Sequence, residues 1–153
     1  MTETERTRLA ALRDRFAELG CPDPEDAALS EFLDDIPQLA RFLAVRHIWP
    51  RLIDEWANEG VLERFPAADR LLASGADRGD LAKVARLVAY ETAFTMLYDL
   101  SAGGDPDAPD GTPEWCLQEV GPDGEPTGRY LDSLHEDLLM LDPSGREGAD
   151  LFE

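Results

Sequence analysis

The segment that decides the fold is DLAKVARLVAYETAFTMLYDLS, residues 80–101. Asp80 is a favourable N-cap for a helix, and the glycine pair at 103–104 is a favourable end. From Val84 to Leu100 the apolar side chains fall on nearly every side of that helix, which is typical of a helix enclosed by others. The sequence therefore predicts a buried central helix over about 80–101.

Shorter helices are predicted before this segment. Thr2 and Glu5 fit a capping box at the start of a first helix. Asp23-Pro24 combines an N-cap with proline at the first helical position, which predicts the start of a second helix. Trp49-Pro50 interrupts the helical pattern that follows, because proline removes a backbone donor.

The pattern changes after the central helix. Residues 115–120 alternate in polarity, residues 121–127 contain turn-forming residues, and residues 128–131 can pair back onto the first stretch. We therefore expect a mainly α fold, with a helical bundle around the buried helix and one small β-hairpin at about 115–131. The chain length argues for a single domain over 1–153.

The chain is strongly acidic, with 33 acidic and 14 basic side chains and a net charge of −19. Residues 101–153 alone contain 14 acidic side chains against Arg129 and Arg146. This balance disfavours direct binding to nucleic-acid phosphates or to anionic lipid surfaces. Two interpretations stay open: the acidic residues only solvate the fold, or they form a surface for a basic protein partner.

Two segments are expected to lack regular structure. Residues 103–113 form an acidic loop rich in proline and glycine, and residues 146–153 are expected to be a loosely held tail. Cys21 and Cys116 are too few for a disulfide framework. We find no signal peptide and no apolar stretch long enough to cross a membrane, so we expect a cytoplasmic protein.

Glu91 is the most unusual residue, because it lies within the helix that is predicted to be buried. A buried carboxylate must be paired, hydrogen-bonded or neutral. A structural ion pair would satisfy it. The alternatives are simple exposure of Glu91 and a functional pocket around it, with His47 or His135 nearby, that binds a small molecule or carries an enzyme activity.

Catalytic and metal motifs are not found. Asp132 and His135 have the spacing of two ligands on one helix face, but a second pair is missing. The acidic loop fails the EF-hand pattern, because Pro109 and Asp110 occupy its fifth and sixth positions. We predict no metal, no cofactor and no catalytic residue, and an enzyme is the less favoured class.

The segment from Trp115 to Leu141 contains many large apolar side chains, so we expect it to fold onto the bundle with its apolar side inward. Arg129 and Arg146 are expected to bridge carboxylates, since the guanidinium group suits that task. Five acidic side chains are then expected to point outward: Glu114, Glu119, Asp132, Glu136 and Asp137.

Part of this segment carries a resemblance. Its residues are Trp115-x-Leu117, Pro126-Thr127-Gly128-Arg129, Leu134-His135-Glu136 and Asp142-Pro143-Ser144-Gly145-Arg146-Glu147. Over about 35 residues it resembles the C-terminal part of small acidic bacterial proteins of unassigned function. The resemblance implies an ordered C-terminal segment and attaches no activity to it.

The favoured function is a soluble acidic binding protein, with an immunity or inhibitor role towards a basic protein as its most concrete form. The alternatives are the pocket around Glu91 and a structural accessory subunit or homodimer. Tryptophan and arginine are residues that binding surfaces favour, although tryptophan is more often a core residue. The candidate binding residues are His47, Trp49, Glu91, Trp115, Arg129, His135, Glu136 and Asp137.

Overall fold

A computed structural model describes residues 1–153 and shows a mainly helical protein with one small antiparallel hairpin, which confirms the predicted fold class. None of its helices is long and apolar enough to cross a membrane. The elements are α1 (Glu3–Glu18), α2 (Pro24–Asp34), α3 (Gln38–Val45), α4 (Pro66–Ala73), α5 (Arg78–Ala102), β1 (Gln118–Val120), β2 (Pro126–Tyr130) and α6 (Leu134–Met140).

The predicted helix starts are confirmed at α1 and α2. At α1 the Thr2 hydroxyl accepts the Glu5 amide at 3.2 Å, and the Glu5 carboxylate accepts the Thr2 amide at 2.6 Å. At α2 the Asp23 carboxylate accepts the amide of Asp26 at 3.2 Å. These bonds satisfy backbone donors that the first helical turn leaves without partners.

The start of α5 differs from the prediction by one turn. The helix begins at Arg78, and the carboxylate of Asp77 accepts the Asp80 amide at 3.0 Å. Asp77 therefore caps this helix, and Asp80 lies within its first turn. Both residues are aspartates three positions apart, so the sequence pattern alone favoured the wrong one.

Helical geometry loosens at Trp49-Pro50, as predicted, but the chain does not become extended there. Residues Trp49–Ile53 form a π-helical turn, and Asp54–Ala57 form a 3-10 turn directly after it. Proline at this position lacks an amide donor, so a local change of helix type accommodates it.

The hairpin predicted over about 115–131 is confirmed, with shorter strands than that range. Gln118 lies opposite Tyr130, Val120 lies opposite Pro126, and an irregularity separates the two pairs. The turn closes where the Gly121 amide donates to the Glu125 carbonyl at 2.8 Å.

The chain forms two compact units. The first comprises Met1–Val45 and Asp99–Leu134, and the second comprises Arg46–Tyr98 and His135–Glu153. In the first unit α1 packs against α2 and α2 against α3, with Phe16 and Phe42 in contact at a ring distance of 6.1 Å. That residues 1–153 fold as a single domain stays a prediction.

The second unit has its own apolar core. Its buried residues are Trp49, Ile53, Tyr90, Leu138 and Leu151. The indole nitrogen of Trp49 donates to the Leu138 carbonyl at 2.7 Å, so its polar atom is satisfied inside the core. The carbonyl belongs to α6, so this bond fixes α6 to the turn that contains Trp49.

The expectation that α5 is enclosed on all sides is wrong. Val84 is 61% exposed, Val88 is 59% exposed and Met96 is 59% exposed. The buried side of the helix carries Ala82 and Tyr90. An apolar residue pattern reports what a helix can bury, but the number of neighbouring elements decides what it does bury.

The expected loose tail over 146–153 is also corrected. Ala149–Phe152 form a 3-10 turn, and Leu151 is one of the buried residues of the second core. The Gly148 amide donates to the carboxylate of Asp142 at 2.7 Å, which turns the chain back towards the core. Burial of Leu151 then offsets the entropy lost by ordering these residues.

Candidate functional site

The acidic loop, residues 103–113, is closed at its base by Trp115. The backbone amide of Trp115 donates to the Gly103 carbonyl at 2.7 Å. Its indole nitrogen donates to the Leu100 carbonyl, in the last turns of α5, at 3.2 Å. Two bonds from one residue therefore hold the end of the loop beside the end of the helix. Compact loops whose ends are held close together are frequently functional.

Hydrogen bonds inside the acidic loop fix its path. The Asp105 carboxylate accepts the Asp107 amide at 2.9 Å, and the Asp105 carbonyl accepts the Ala108 amide at 3.1 Å. Further along, the Thr112 hydroxyl and amide both donate to the Pro109 carbonyl, at 2.6 and 3.1 Å. These short turns suit aspartate and proline, which is why the sequence folds this way locally.

The carboxylates of this loop face solvent. Asp105, Asp107 and Asp110 are exposed, and Glu114 directly after the loop is exposed as well. Arg129, the one basic side chain of residues 99–134, forms its ion pairs with other carboxylates. Asp105, Asp107 and Asp110 take part in none of the ion pairs of the protein, so the loop presents their negative charge to solvent.

Arg129 bridges carboxylates, as the sequence predicted. Its Nε and Nη2 donate to the two carboxylate oxygens of Glu119 at 2.8 and 2.6 Å, and Nη2 also donates to Glu31 at 3.2 Å. A third carboxylate, that of Asp35, lies 3.5 Å from Nη1. Burial alone would lower the pKa of Arg129, but the bonds and charges of Glu119 and Glu31 raise it.

The expected outward direction of five acidic side chains is correct for three of them. Glu114, Asp132 and Glu136 are exposed, whereas Glu119 and Asp137 are partly buried. Glu119 is drawn inward because it shares two hydrogen bonds with Arg129. Such bidentate pairing is the geometry that arginine favours with carboxylates.

Glu91 is exposed, so the expectation of a buried carboxylate is wrong. It directly follows the buried Tyr90 on α5, but its own side chain faces solvent. No hydrogen bond or ion pair joins Glu91 to His47 or His135.

The two histidines have different surroundings, and both lie in the second unit. His47 is exposed and accepts a hydrogen bond on Nε2 from Arg46 Nε at 3.1 Å. Desolvation, together with the positive charges of Arg51 and Arg46, lowers the pKa of His47. His135 packs edge-on against the rings of Phe94 and Tyr98 at 5.2 and 5.1 Å, and its Nδ1 has no hydrogen-bond partner.

The two candidate tryptophans divide between core and surface. Trp49 is a core residue of the second unit, which removes it from the candidate binding residues. Trp115 is 45% exposed, and its two bonds close the acidic loop. Of the candidate residues, Trp115 and Arg129 lie in the first unit with the acidic loop, and Glu136 is exposed on α6 of the second.

One important carboxylate was missed by the sequence analysis. Asp142 is buried, and it accepts hydrogen bonds from the Ser144 amide and hydroxyl at 2.8 and 2.6 Å and from the Gly148 amide. Burial would raise the pKa of Asp142, but these donors lower it. The signal was the run Asp142-Pro143-Ser144-Gly145, since aspartate often accepts amides two residues ahead in a turn.

No three His, Cys, Asp or Glu side chains come together in a way that could hold a metal ion. Cys21 and Cys116 are both free thiols. Burial raises the pKa of Cys21, so its reactive thiolate is disfavoured. Cys116 is exposed and lies just before β1, not within a strand.

Comparison with known proteins gives no relative: no family model matches the chain, and no curated protein or solved structure shows significant similarity to it.

Proposed function

We propose that this chain is a soluble, cytoplasmic acidic binding protein whose partner is a basic protein. The single observation that carries the proposal is the acidic loop, which Trp115 closes and whose carboxylates are exposed and form no ion pair. Charges fixed in this way meet a partner at a lower entropic cost than charges on a free segment. They also attract a basic partner over a distance and speed its association.

The most concrete form of this proposal is an immunity or inhibitor protein. Proteins that act on nucleic acids carry basic clefts for phosphates, and an acidic protein can occupy such a cleft. The net charge of −19 supports this form, since it disfavours binding of the chain itself to phosphate-rich ligands. Production of the chain together with a basic nuclease that it neutralises would test this form.

The alternatives have less support. The enzyme alternative depended on a buried Glu91, and Glu91 is exposed. A homodimer would bring two chains of net charge −19 together, and like charges oppose that association. An accessory subunit of a larger assembly remains a special case of the same proposal, provided that its neighbour is basic.

The proposal is tested by capture, identification and reconstitution. The tagged chain is used to capture partners from the native host, the captured protein is identified and purified, and its affinity is measured by calorimetry. The loop variant replaces Asp105, Asp107 and Asp110 by Asn. The control variant has the same net charge but replaces exposed acids elsewhere: Glu25→Gln, Glu59→Gln and Asp69→Asn.

A basic partner whose affinity falls at least tenfold for the loop variant, and about threefold or less for the control variant, supports the proposal. A tenfold change corresponds to about 1.4 kcal/mol, which is close to the lower end of the range of about 1.5–7 kcal/mol measured for close charge pairs. Equal losses of affinity for the loop variant and the control variant would show that the affinity depends only on the net charge of the chain. A partner that is acidic or neutral would contradict the proposal.

A further inference from the structure

The register of the hairpin places four side chains on one of its faces. Gln118 lies opposite Tyr130, and Val120 lies opposite Pro126. Successive side chains of a strand point to opposite sides of the sheet, and residues directly opposite each other share a side. We call the face with these four side chains the outer face. Its two large apolar side chains are open to solvent, since Val120 is 59% exposed and Tyr130 is 51% exposed.

The opposite face of the hairpin packs within the first unit. It carries Glu119 and Arg129, whose side chains are only 14% and 23% exposed. Arg129 donates from this face to Glu31 on α2 at 3.2 Å. The hairpin therefore uses one face for its contact with α2 and leaves Val120 and Tyr130, on the outer face, in solvent.

Exposed carboxylates flank the outer face at both ends. Asp123 and Glu125 lie in the turn that joins the two strands, and Asp132 lies two residues after Tyr130. None of these three carboxylates takes part in an ion pair. The aromatic ring of Tyr130 and the side chain of Val120 are therefore bordered by negative charge that the chain itself leaves unpaired.

No cation of the hairpin balances these carboxylates. Arg129 is the only lysine or arginine of residues 87–145, and its guanidinium is engaged by Glu119 on the opposite face. The other arginines and lysines of the first unit lie in residues 1–45, and three of them form ion pairs within α1: Arg6, Arg13 and Arg15. The charge of the hairpin outside its Arg129 pair is therefore negative, and it favours a cationic occupant.

We infer that the outer face of the hairpin receives an arginine side chain of the basic partner, with its guanidinium on the ring of Tyr130 and paired with the carboxylate of Asp132. The inference rests on the proposed function and adds a second contact to the acidic loop, which lies in the same unit. Arginine suits this face because its guanidinium is weakly hydrated, stacks on aromatic rings and forms paired bonds with carboxylates. Its apolar stem can cover Val120 at the same time. A second copy of the chain fits less well, since it would bring further carboxylates to the face.

The test uses three synthetic peptides of about nine residues that differ only at alternate positions, so that the varied side chains lie on one side of an extended chain. The first peptide has arginine at these positions, and the second has lysine. The third has citrulline, which keeps the length and shape of arginine but carries no charge. NMR titration of the full chain measures each affinity from the backbone amide signals of the hairpin, and the ring signals of Tyr130 show where the peptide binds.

Two variants test the contribution of the apolar side chains. The face variant is Val120→Thr with Tyr130→Thr, because threonine is compatible with a strand and removes most of the apolar surface. Its control is Val88→Thr with Met96→Thr, which changes two side chains of α5 that are each 59% exposed. Melting temperatures show whether each variant is folded.

Two further variants test the contribution of the carboxylate. The charge variant is Asp132→Asn. Its control is Asp69→Asn, which makes the same chemical change at an exposed position of α4. Both variants have the same net charge, so a difference in affinity between them reports the position of the lost carboxylate.

The arginine peptide should bind the wild type at least about tenfold more tightly than the citrulline peptide and about threefold more tightly than the lysine peptide. It should also shift the ring signals of Tyr130. The face variant and the charge variant should each weaken binding of the arginine peptide by about fivefold or more, and each control should change it by about twofold or less.

Several results would overturn the inference. Equal binding of the arginine peptide and either of the other peptides would remove the selection for arginine. Equal binding by a variant and its control would remove the role of Tyr130 and Val120, or that of Asp132. Absence of measurable binding of the arginine peptide to the wild type would overturn the inference as well.

Failure of the proposed function gives a different result. Binding of the arginine peptide that is lost in the variant neutralised at Asp105, Asp107 and Asp110, but kept in the face variant, would overturn the inference and support the proposed function. A captured partner that is acidic or neutral would contradict the proposed function, and that result does not depend on Val120 or Tyr130.

Discussion

Arg129 and Glu119 form a bidentate pair: Nε and Nη2 of the arginine donate to the two carboxylate oxygens of the glutamate at 2.8 and 2.6 Å. The pair connects the two strands of the hairpin, because Glu119 lies on β1 and Arg129 on β2. Arg129 also donates to Glu31 on α2, so one side chain fixes the hairpin to the helices of its unit.

Arg129→Leu should destabilise the first unit, because it leaves the largely buried carboxylates of Glu31 and Glu119 without a cation. We expect a loss of about 2–3 kcal/mol in the free energy of unfolding, somewhat below the cost at fully buried pairs. Urea denaturation followed by circular dichroism measures it. Arg6→Leu, which breaks an exposed pair with Glu3, is the control and should change little. Equal effects of the two changes would contradict this role of Arg129.

Gly148→Ala should destabilise the C-terminal segment. Gly148 has a φ of +82°, and a Cβ at this position would lie 2.7 Å from the ring of Tyr90. Strain and overlap together should cost about 3 kcal/mol. Gly145→Ala is the matched control, since Gly145 also has a positive φ, of +68°, but open space around it. Its cost should be about 1 kcal/mol. Thermal denaturation of both variants measures these costs. Equal melting temperatures would contradict the close packing of Gly148 against Tyr90.

The stability of the protein should fall at acid pH in part through Asp142. The pKa of Asp142 is lower in the folded protein than in the unfolded chain. Its contribution is therefore complete above the unfolded pKa of about 4 and is lost as the pH falls through the folded pKa. Asp142→Asn should cost about 2 kcal/mol at pH 7 and make the stability less dependent on pH below about 4. Denaturant midpoints at several pH values measure this, and parallel pH profiles for the variant and wild type would refute it.

Glu91→Leu should leave stability nearly unchanged, within about 0.5 kcal/mol, because the side chain is exposed and has no partner in the chain. The buried ion pair considered from the sequence would instead require a loss of several kcal/mol. Thermal denaturation distinguishes the two outcomes. A large destabilisation would mean that Glu91 has a buried partner.

The sequence predicted those features that local chemistry determines. The capping box at Thr2, the proline start of α2 and the turn of the hairpin depend on residues close together in the chain, and all three are confirmed. The confirmed role of Arg129 followed from the shortage of cations around it. Both kinds of signal can be read without knowing how the elements pack.

The errors arose where packing between distant residues decides the outcome. The apolar pattern of α5 could not show that Val88 and Glu91 face solvent, since that depends on which elements lie beside the helix. The buried position of Leu151 depends on the turn that Asp142 stabilises. Trp115 closes the acidic loop by hydrogen bonds to Gly103 and Leu100, which lie 12 and 15 positions before it in the chain. No periodicity in the sequence predicts these bonds.

The central claim is that the acidic loop attracts a basic partner, and association kinetics test it most directly. The association rate of the captured and purified partner is measured by stopped flow at about 0.05 and 0.5 M NaCl. The wild type is compared with the two variants of equal net charge, one neutralised at Asp105, Asp107 and Asp110 and one at Glu25, Glu59 and Asp69.

We predict that the wild-type rate falls at least tenfold between the two salt concentrations, since screening weakens long-range attraction. At low salt the loop variant should associate several-fold more slowly than the control variant, because its lost charges lie where the partner approaches. Association that is independent of salt, or equally fast for the two variants, would contradict the claim that the acidic loop receives the partner.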